Sequence, residues 1–341
     1  MPRLRSADVF TYRISWAHPI FQPSLVSLCL HLIDSFEESS SAALSILNGM
    51  PRLERLVIEG SFPASDTSAP ATDHVILPRL KLLQLDTGFR DWLRLDRQLD
   101  IPPNAVASAA IVDYDRQDEA YALISAAIVA KLEKLAARSK MHVRGLALVT
   151  SRTSFCDYEL HFIMESPTVT GFVNGDVQPH FRIGLGDNRL GNLDLVGLIP
   201  LLPLDNVTIL FLQDLFNGRR ELQQYLATIQ PPDVLQNITT LLYSTTYGLD
   251  PTKPSPYKAY LIHALTHRTQ TGLPLKHLVL SRCIRLCGQD VDLMRETMDK
   301  LGCQLEWDGV ELARVERGHL FSDTEMDMSG EERDEAFVLD S

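Results

Sequence analysis

A short apolar pattern, L-x-x-L-x-L, recurs along this 341-residue chain and restricts its possible folds more than any other feature. The clearest copies occupy residues 53–58 in MPRLERLVIEG, 80–85 in LPRLKLLQLD and 275–280 in PLKHLVLSRC. Seven copies begin at Leu25, Leu53, Leu80, Val143, Val207, Ile238 and Leu275. The last two apolar residues of each copy are two positions apart, so they share one face of a strand, and the residue between them lies on the other face. The pattern therefore predicts short strands repeated along the chain.

The intervals between copies indicate what lies between these strands. Successive copies are 27 to 37 residues apart, except for two gaps of 63 and 64 residues, about twice the unit. Each long gap contains a degenerate candidate near its middle, at Ile111 and at residues 181–185, and further strand-like pieces lie at 4–9 and 303–307. Segments of helical period fill the intervals, at residues 40–51, 116–139, 193–202, 218–229, 256–271 and 288–301.

This alternation predicts an α/β fold, specifically a leucine-rich-repeat-like solenoid with a parallel sheet on the concave face and helices on the convex face. One unit is too small to bury both faces of its strand, so the units must stack on their neighbours. We assign residues 1–312 to an irregular solenoid that lacks an N-terminal cap, and residues 313–341 to an acidic, disordered tail.

Most of the charge imbalance lies in that tail. Residues 322–341 contain eight acidic side chains and one arginine, so they carry −7 of the formal net charge of −12. A composition of this kind predicts disorder. The remaining body is close to charge balance, which argues against a nucleic-acid partner.

The same composition predicts a soluble chain in the cytoplasm, the nucleus or both. We find no uninterrupted apolar run long enough to span a bilayer, and the N-terminal MPRLRSADVFTYRISW has no signal-peptide pattern, so no membrane partner is expected. An odd number of cysteines, five, fits free thiols in a reducing compartment: Cys29, Cys156, Cys283, Cys287 and Cys303.

The three clearest copies, each with an upstream proline, and the stretch LRLDRQLDIPPNAVAS resemble the leucine-rich-repeat region of fungal F-box-type proteins. The resemblance covers residues 25–309. It implies a substrate receptor of a cullin-based ubiquitin ligase, in which an F-box holds a Skp-type adaptor and the repeats hold the substrate. No F-box is found ahead of the repeats, so adaptor and cullin are expected as partners only if an upstream F-box exists. The chain is interpreted as a fragment or mis-started gene product, or as a receptor relic that works without the ligase.

Two groups of residues suggest a metal site, but neither pattern is complete. His263 and His267 have the i, i+4 spacing of a zinc protease, yet the glutamate that would act as general base is missing. Cys283, Cys287 and His277 could offer three ligands, but Cys283 directly follows a predicted repeat strand, where a small buried residue is expected. We therefore predict no metal.

The sequence also argues against a cofactor and against catalysis. Gly184 and Gly186 resemble the start of a dinucleotide-binding loop, but the next glycine, Gly191, is out of spacing, so a turn is the better interpretation. Neither a nucleophile-elbow nor a P-loop motif is present. We therefore predict no catalytic residue, no cofactor and no enzyme.

The predicted binding surface is the row of residues between the last two apolar positions of each copy, which would cross the concave face. The row comprises Cys29, Val57, Gln84, Ala147, Phe211, Leu242 and Val279. Six of these seven are apolar, which predicts a hydrophobic stripe, centred on Phe211 and Leu242, that grips a protein partner. Polar neighbours that would tune specificity at its rim are Arg55, Glu59, Gln213, Ser244, His277 and Ser281. The alternative is that the register slips or that loops cover the row.

Two functions remain open for such a surface. The first is a non-catalytic substrate-recognition module related to ubiquitin-ligase receptors. The second is a ligase-independent repeat scaffold or adaptor that keeps a protein partner but ignores the Skp-type adaptor.

Overall fold

The structure is a computed structural model, and its description covers residues 4–11, 13–36, 38–62, 74–111, 118–150, 158–165, 167–174, 176–185, 198–214, 235–245, 256–283, 286 and 288–309. The chain divides into two units, Met1–Glu311 and Leu312–Ser341, and all of these residues belong to the first unit. The predicted tail, 313–341, and the helical segment predicted at 218–229 lie outside the described residues.

The fold is α/β, as predicted, and is dominated by one large, mostly parallel sheet. Within the described residues the strands are β1 Ser6–Thr11, β2 Ser27–Ser35, β3 Arg55–Ser61, β4 Val75–Ile76, β5 Leu82–Thr87, β6 Leu99–Asp100, β7 Val106–Ile111, β8 Gly145–Thr150, β9 Tyr158–Ile163, β10 Phe181–Leu185, β11 Ile209–Asp214, β12 Thr240–Thr245, β13 His277–Ser281 and β14 Gln304–Trp307. Twelve of them form a sheet in the order β1-β2-β3-β5-β7-β10-β9-β8-β11-β12-β13-β14, and β4 pairs with β6 separately.

Helices connect many of these strands. In the described part of the chain they are α1 Ser40–Asn48, α2 Phe89–Gln98, α3 Asp118–Ser139, α4 Val169–Asn174, α5 Pro256–Gln270 and α6 Gly288–Lys300, with a 3₁₀ turn at Ile199–Leu201. Four of the helical segments predicted from sequence periodicity correspond to α1, α3, α5 and α6. The segment predicted at 193–202 is described only from residue 198, where it contains the 3₁₀ turn.

The apolar repeat places its leucines on the face of the sheet that carries α1, α2, α3, α5 and α6, which we call the helix face. Leu28, Leu56 and Leu83 are register partners on β2, β3 and β5, and each is at most 2% exposed. They share one core with buried residues of α1, α2, α3, α5 and α6, and this core extends from Ala7 to Leu305. Stacking of neighbouring units therefore buries the repeat positions.

The middle of the sheet departs from the predicted order. β9 is antiparallel to both β8 and β10, and β10 pairs in parallel with β7. The candidate copy at 181–185 is a strand, but it lies beside β7 and not between β8 and β11. The sheet is mostly parallel, with β9 as its antiparallel strand among the described residues. After β7 the chain runs through α3 to β8, and β9 and β10 then fill the space left between them.

Helix α2 is not among the helical segments predicted from sequence periodicity. Within FRDWLRLDRQ the apolar residues Phe89, Trp92 and Leu95 are three apart and all are buried, which is the spacing of one helix face. The charged residues between them obscure this period, and only the second half of the helix, residues 93–98, lies in the stretch LRLDRQLDIPPNAVAS.

A candidate binding cleft

The predicted row lies on the other side of the sheet from the helix face, and we call this side the opposite face. Cys29, Val57 and Gln84 are register neighbours on β2, β3 and β5. Ala147, Phe211, Leu242 and Val279 are register neighbours on β8, β11, β12 and β13. Strands β7, β10 and β9 separate these two halves and contribute Ser108, Arg182 and His161 to the same row.

Most of this row is not open to water, contrary to expectation. Cys29, Val57, Ala147, Leu242 and Val279 are each at most 6% exposed. Phe211 and Gln84 are partly exposed. Of the two alternatives to an open stripe, a slipped register does not explain the burial, because the row residues pair with one another as predicted.

Helix α4 and its flanking residues cover the half of the row that contains Phe211. Phe172 of α4 is buried in a second apolar cluster with Ala147, Leu242 and Val279, separate from the main core. Its ring lies 5.7 Å from that of Phe211, centroid to centroid, at a tilt of 47°. Residues on the opposite face are therefore sheltered by a short helix that the sequence pattern did not indicate.

Gly145 permits this close approach. A Cβ atom at this position would lie 3.0 Å from Cγ of Pro167 and 3.2 Å from Cζ of Phe172. Both distances are shorter than ordinary carbon contacts, so a side chain here would push the covering segment outward. A glycine at the start of β8 is thus part of what positions α4.

A cleft remains between α4 and the sheet, with a volume of about 240 Å³. Its lining is Ala147, Val149, His161, Ile163, Phe172, Val177, Pro179, Phe211, Gln213, Ser244, Ser281 and Arg282. The floor and α4 wall are mostly apolar, whereas the side toward the carboxyl ends of β11, β12 and β13 carries hydroxyl, amide and guanidinium groups. The cleft can therefore hold an apolar group and hydrogen-bond the polar atoms next to it.

The structure brings together only part of the predicted rim. Gln213, Ser244 and Ser281 line the cleft, the two serines being buried. Arg55 and Glu59 lie on β3, in the other half of the sheet, and the half-buried His277 lies at the start of β13 and does not line the cleft. The predicted rim is thus divided between two places on the opposite face.

Sequence reasoning missed the other seven residues of the cleft, which are Val149, His161, Ile163, Phe172, Val177, Pro179 and Arg282. A signal for β9 was available, since Leu160 and Phe162 alternate with polar residues in YELHFI, as expected of a half-buried strand. No comparable pattern marks α4, because a helix of six residues is too short to show a period.

Next to the cleft, the row toward the carboxyl ends of the strands carries acidic residues. In register order it runs Phe10, His31, Glu59, Asp86, Ala110, Gly184, Glu159, Val149, Gln213, Ser244 and Ser281. We call Glu59, Asp86 and Glu159 the carboxylate strip. None of the residues in this row is a lysine or an arginine.

Hydrogen bonds hold the carboxylate strip in place. Nδ1 of His31 lies 2.6 Å from Oε2 of Glu59, and Nε2 of His161 lies 2.7 Å from Oε2 of Glu159. Gln84 donates to Asp86 at 2.8 Å and to Glu59 at 3.4 Å. These contacts fix the carboxylates while Glu59 and Glu159 keep 24% and 23% of their side-chain surface exposed.

Asp86 is the electrostatically costly member of the strip. Burial raises the pKa of Asp86 to about 6, and the carboxylates of Glu59 and Glu159 raise it further. A hydrogen bond from Gln84 opposes this increase. Near neutral pH the side chain is still mostly ionised, although burial and two like charges disfavour that form.

The metal and cofactor candidates considered from the sequence form no site in the described residues. No group of three or more His, Cys, Asp or Glu side chains there could hold a metal ion. His263 is exposed and His267 half-buried on α5, whereas Cys283 is fully buried with Sγ 3.5 Å from the carbonyl oxygen of Tyr243. Cys287, Gly186 and Gly191 lie outside the described residues.

Of the described cysteines, Cys29, Cys283 and Cys303 are buried and none is in a disulfide bond. Cys156 lies outside the described residues, as does Cys287. In the described part of the chain, no helix combines the length and the apolar content needed to cross a bilayer.

A scan of the chain against protein-family models found no matching family, and a search of curated proteins found no significant match. The case for a function therefore depends on the residues and their geometry.

Proposed function

We propose that this chain is a non-catalytic protein-binding module built as a leucine-rich-repeat-like solenoid. The fold supports this proposal through its repeated strand–helix units, whose register aligns Leu28, Leu56 and Leu83 across neighbouring strands. Such units bind partners through extended sheet surfaces and need no catalytic group. The inserted β9 and β10 make the proposed solenoid irregular at its centre.

The observation that carries the proposal is the position of Phe211. It is the one partly exposed residue among its register neighbours Ala147, Leu242 and Val279, and its side chain lines the cleft. A partly exposed aromatic ring above a buried apolar floor is typical of an interface hot spot. At about 240 Å³ the cleft is smaller than the roughly 300–1,000 Å³ of most small-molecule sites, so an inserted side chain of a protein suits it better than a cofactor.

The resemblance to F-box-type proteins favours a substrate receptor of a cullin-based ubiquitin ligase as the first form of this function. A ligase-independent scaffold is the second. Both use the cleft in the same way and differ in whether a Skp-type adaptor accompanies the partner.

The test is affinity purification of the chain, tagged at its own locus, with mass spectrometry of the proteins that accompany it. Phe211→Ala should reduce recovery of the specific partner by about tenfold or more, because a hot-spot aromatic contributes about 2 kcal/mol or more to binding. Leu293→Ala, which shortens a 53% exposed leucine on α6, is the matched control and should leave recovery unchanged. Equal recovery with wild type and Phe211→Ala would reject the cleft.

Two further measurements make this result interpretable. Circular dichroism must show that Phe211→Ala is folded, and Gln213→Lys, which adds a charge at the rim without removing apolar volume, should also weaken recovery. Adaptor and cullin peptides alongside the partner would support the ligase receptor, whereas their reproducible absence with the partner present would support the scaffold.

A further inference from the structure

The cleft and the carboxylate strip are continuous. His161 lines the cleft, and Glu159, two residues earlier on β9, is the register partner of Val149, which also lines it. An occupant of the cleft therefore lies one strand spacing, about 5 Å, from the first carboxylate of the strip.

The strip continues away from the cleft along the same row. Between Glu159 and Asp86 the row carries only Gly184 and Ala110, which project little or no side chain. Three strand spacings separate these two carboxylates, about 14 Å, and Glu59 lies one strand beyond Asp86. The row thus has fixed, partly exposed carboxylates on either side of two small, buried residues.

The charge along this row has one sign apart from the histidines. Its described members carry three carboxylates and no lysine or arginine, and Asp8, 64% exposed, lies near its far end with Oδ1 3.5 Å from Nε2 of His31. Of the described arginines on this face, Arg55 and Arg182 belong to the neighbouring rows, and Arg282 lines the cleft next to Ser281. A partner lying along the row meets negative potential on leaving the cleft.

Retention of the Asp86 charge also favours a role in recognition. Burial and the carboxylates of Glu59 and Glu159 disfavour its ionised form. Groups of this kind are concentrated at functional sites, where a bound ligand can offset the unfavourable energy. A cation placed between Asp86 and Glu159 would relieve this repulsion.

We infer that the cleft and the carboxylate strip together bind an extended peptide segment that places a large apolar side chain against Phe211 and lysine or arginine side chains along Glu159, Asp86 and Glu59. This inference rests on the proposed protein-binding function and specifies the chemistry of the partner. Six strand spacings, about 29 Å, separate Phe211 on β11 from Glu59 on β3, which corresponds to about nine extended residues. The basic residues therefore lie within about nine positions of the apolar anchor.

The experiment is selection of a random peptide display library, with inserts of about 12 residues, on the full-length chain near neutral pH; such inserts are long enough to cover the cleft and the strip. Enriched peptides should share a large apolar residue with lysine or arginine within about nine positions. Peptides enriched without basic residues, or no enrichment at all, would overturn the inference.

An enriched peptide, labelled with fluorescein, then serves as the probe in anisotropy measurements. The double variant Glu59→Gln with Asp86→Asn should weaken binding about fivefold or more, while Glu296→Gln, the same change on the exposed side of α6, should not. Raising NaCl from about 0.05 M to about 0.5 M should weaken binding to wild type more than to the double variant. An unchanged affinity in the double variant would overturn the inference.

Phe211→Ala separates failure of this inference from failure of the proposed function. Binding that depends on Phe211 but not on the carboxylates would reject the basic peptide and leave the protein-binding cleft intact. Binding of basic peptides that is independent of Phe211 would reject the cleft, and with it both proposals.

Discussion

At the scale of single residues, Asp86 shows what it costs to hold a carboxylate in a largely buried position near two others. It accepts a hydrogen bond from Gln84, yet burial and two neighbouring carboxylates raise its pKa to about 6. Between its usual pKa of 3.8 and this value, the folded chain holds the proton more tightly than the unfolded chain does. The stability that protonation contributes is present below about pH 3.8 and is lost as the pH rises through about 6.

We therefore expect Asp86→Asn to stabilise the protein above about pH 6, by at most about 3 kcal/mol in the free energy of unfolding, because the amide keeps the size and removes the charge. The gain should shrink as the pH falls toward 4. Urea unfolding at a series of pH values measures it, with Asp299→Asn on the exposed side of α6 as the control. A variant less stable than wild type at every pH would show that the Asp86 carboxylate stabilises the fold.

At the scale of elements, the covering of the opposite face depends on how closely α4 approaches β8. Pro167 and Phe172 lie against Gly145, and Phe172 in turn contacts Phe211. The same short segment therefore buries Ala147 and Leu242 and forms one wall of the cleft. Gly145 therefore affects both the position of the cleft wall and the stability of the second apolar cluster.

Gly145→Val should displace Pro167 and Phe172 and lower the free energy of unfolding by about 1–3 kcal/mol, the usual cost of overpacking. Gly88→Ala is the comparison, because a Cβ there would meet nothing closer than 3.9 Å, and it should stay within about 1 kcal/mol of wild type. Thermal unfolding of both variants measures the effect. If Gly145→Val were as stable as wild type, α4 would not be held as closely as the structure indicates.

At the scale of the whole molecule, one apolar core runs from Ala7 to Leu305 and links the first and last strands of the sheet. A simple repeat array contacts only its neighbours in sequence and can unfold from its ends. Here β10 lies beside β7. Strands β9 and β10 follow β8 in the chain, yet they lie between β7 and β8 in the sheet. Because of this strand order, the repeats at the N-terminal end of the sheet and those at its C-terminal end should unfold together as one cooperative structure.

The three tryptophans test this cooperativity, since Trp16 lies between β1 and β2, Trp92 in α2 and Trp307 in β14. In variants that keep a single tryptophan and carry phenylalanine at the other two positions, fluorescence and circular dichroism should give the same urea midpoint within each variant. Comparing the two probes within one variant removes the effect of the substitutions on stability. A lower fluorescence midpoint at Trp307 or Trp16 alone would indicate that the units unfold from the ends.

The sequence by itself determined the strands of the repeat and the faces of their side chains. Leu28 and Leu30 are two positions apart, as are Leu278 and Leu280. Both members of each pair therefore lie on the same face of their strand, and that face is the one to be buried. For the same reason the row from Ala147 to Val279 follows from the repeat pattern alone. Local periodicity also located α1, α3, α5 and α6, whose apolar spacing is visible in the sequence, whereas charged residues obscure the same spacing in α2.

Only the tertiary structure decided the order of strands at the centre of the sheet and what covers the opposite face. Each β-strand can pair equally well with several neighbours of similar sequence, so periodicity could not place β9 and β10 between β7 and β8. The contacts of Phe172 with Phe211 and of Pro167 with Gly145 join parts of the chain that are distant in sequence. The cleft and its continuity with the carboxylate strip arise from those long-range contacts.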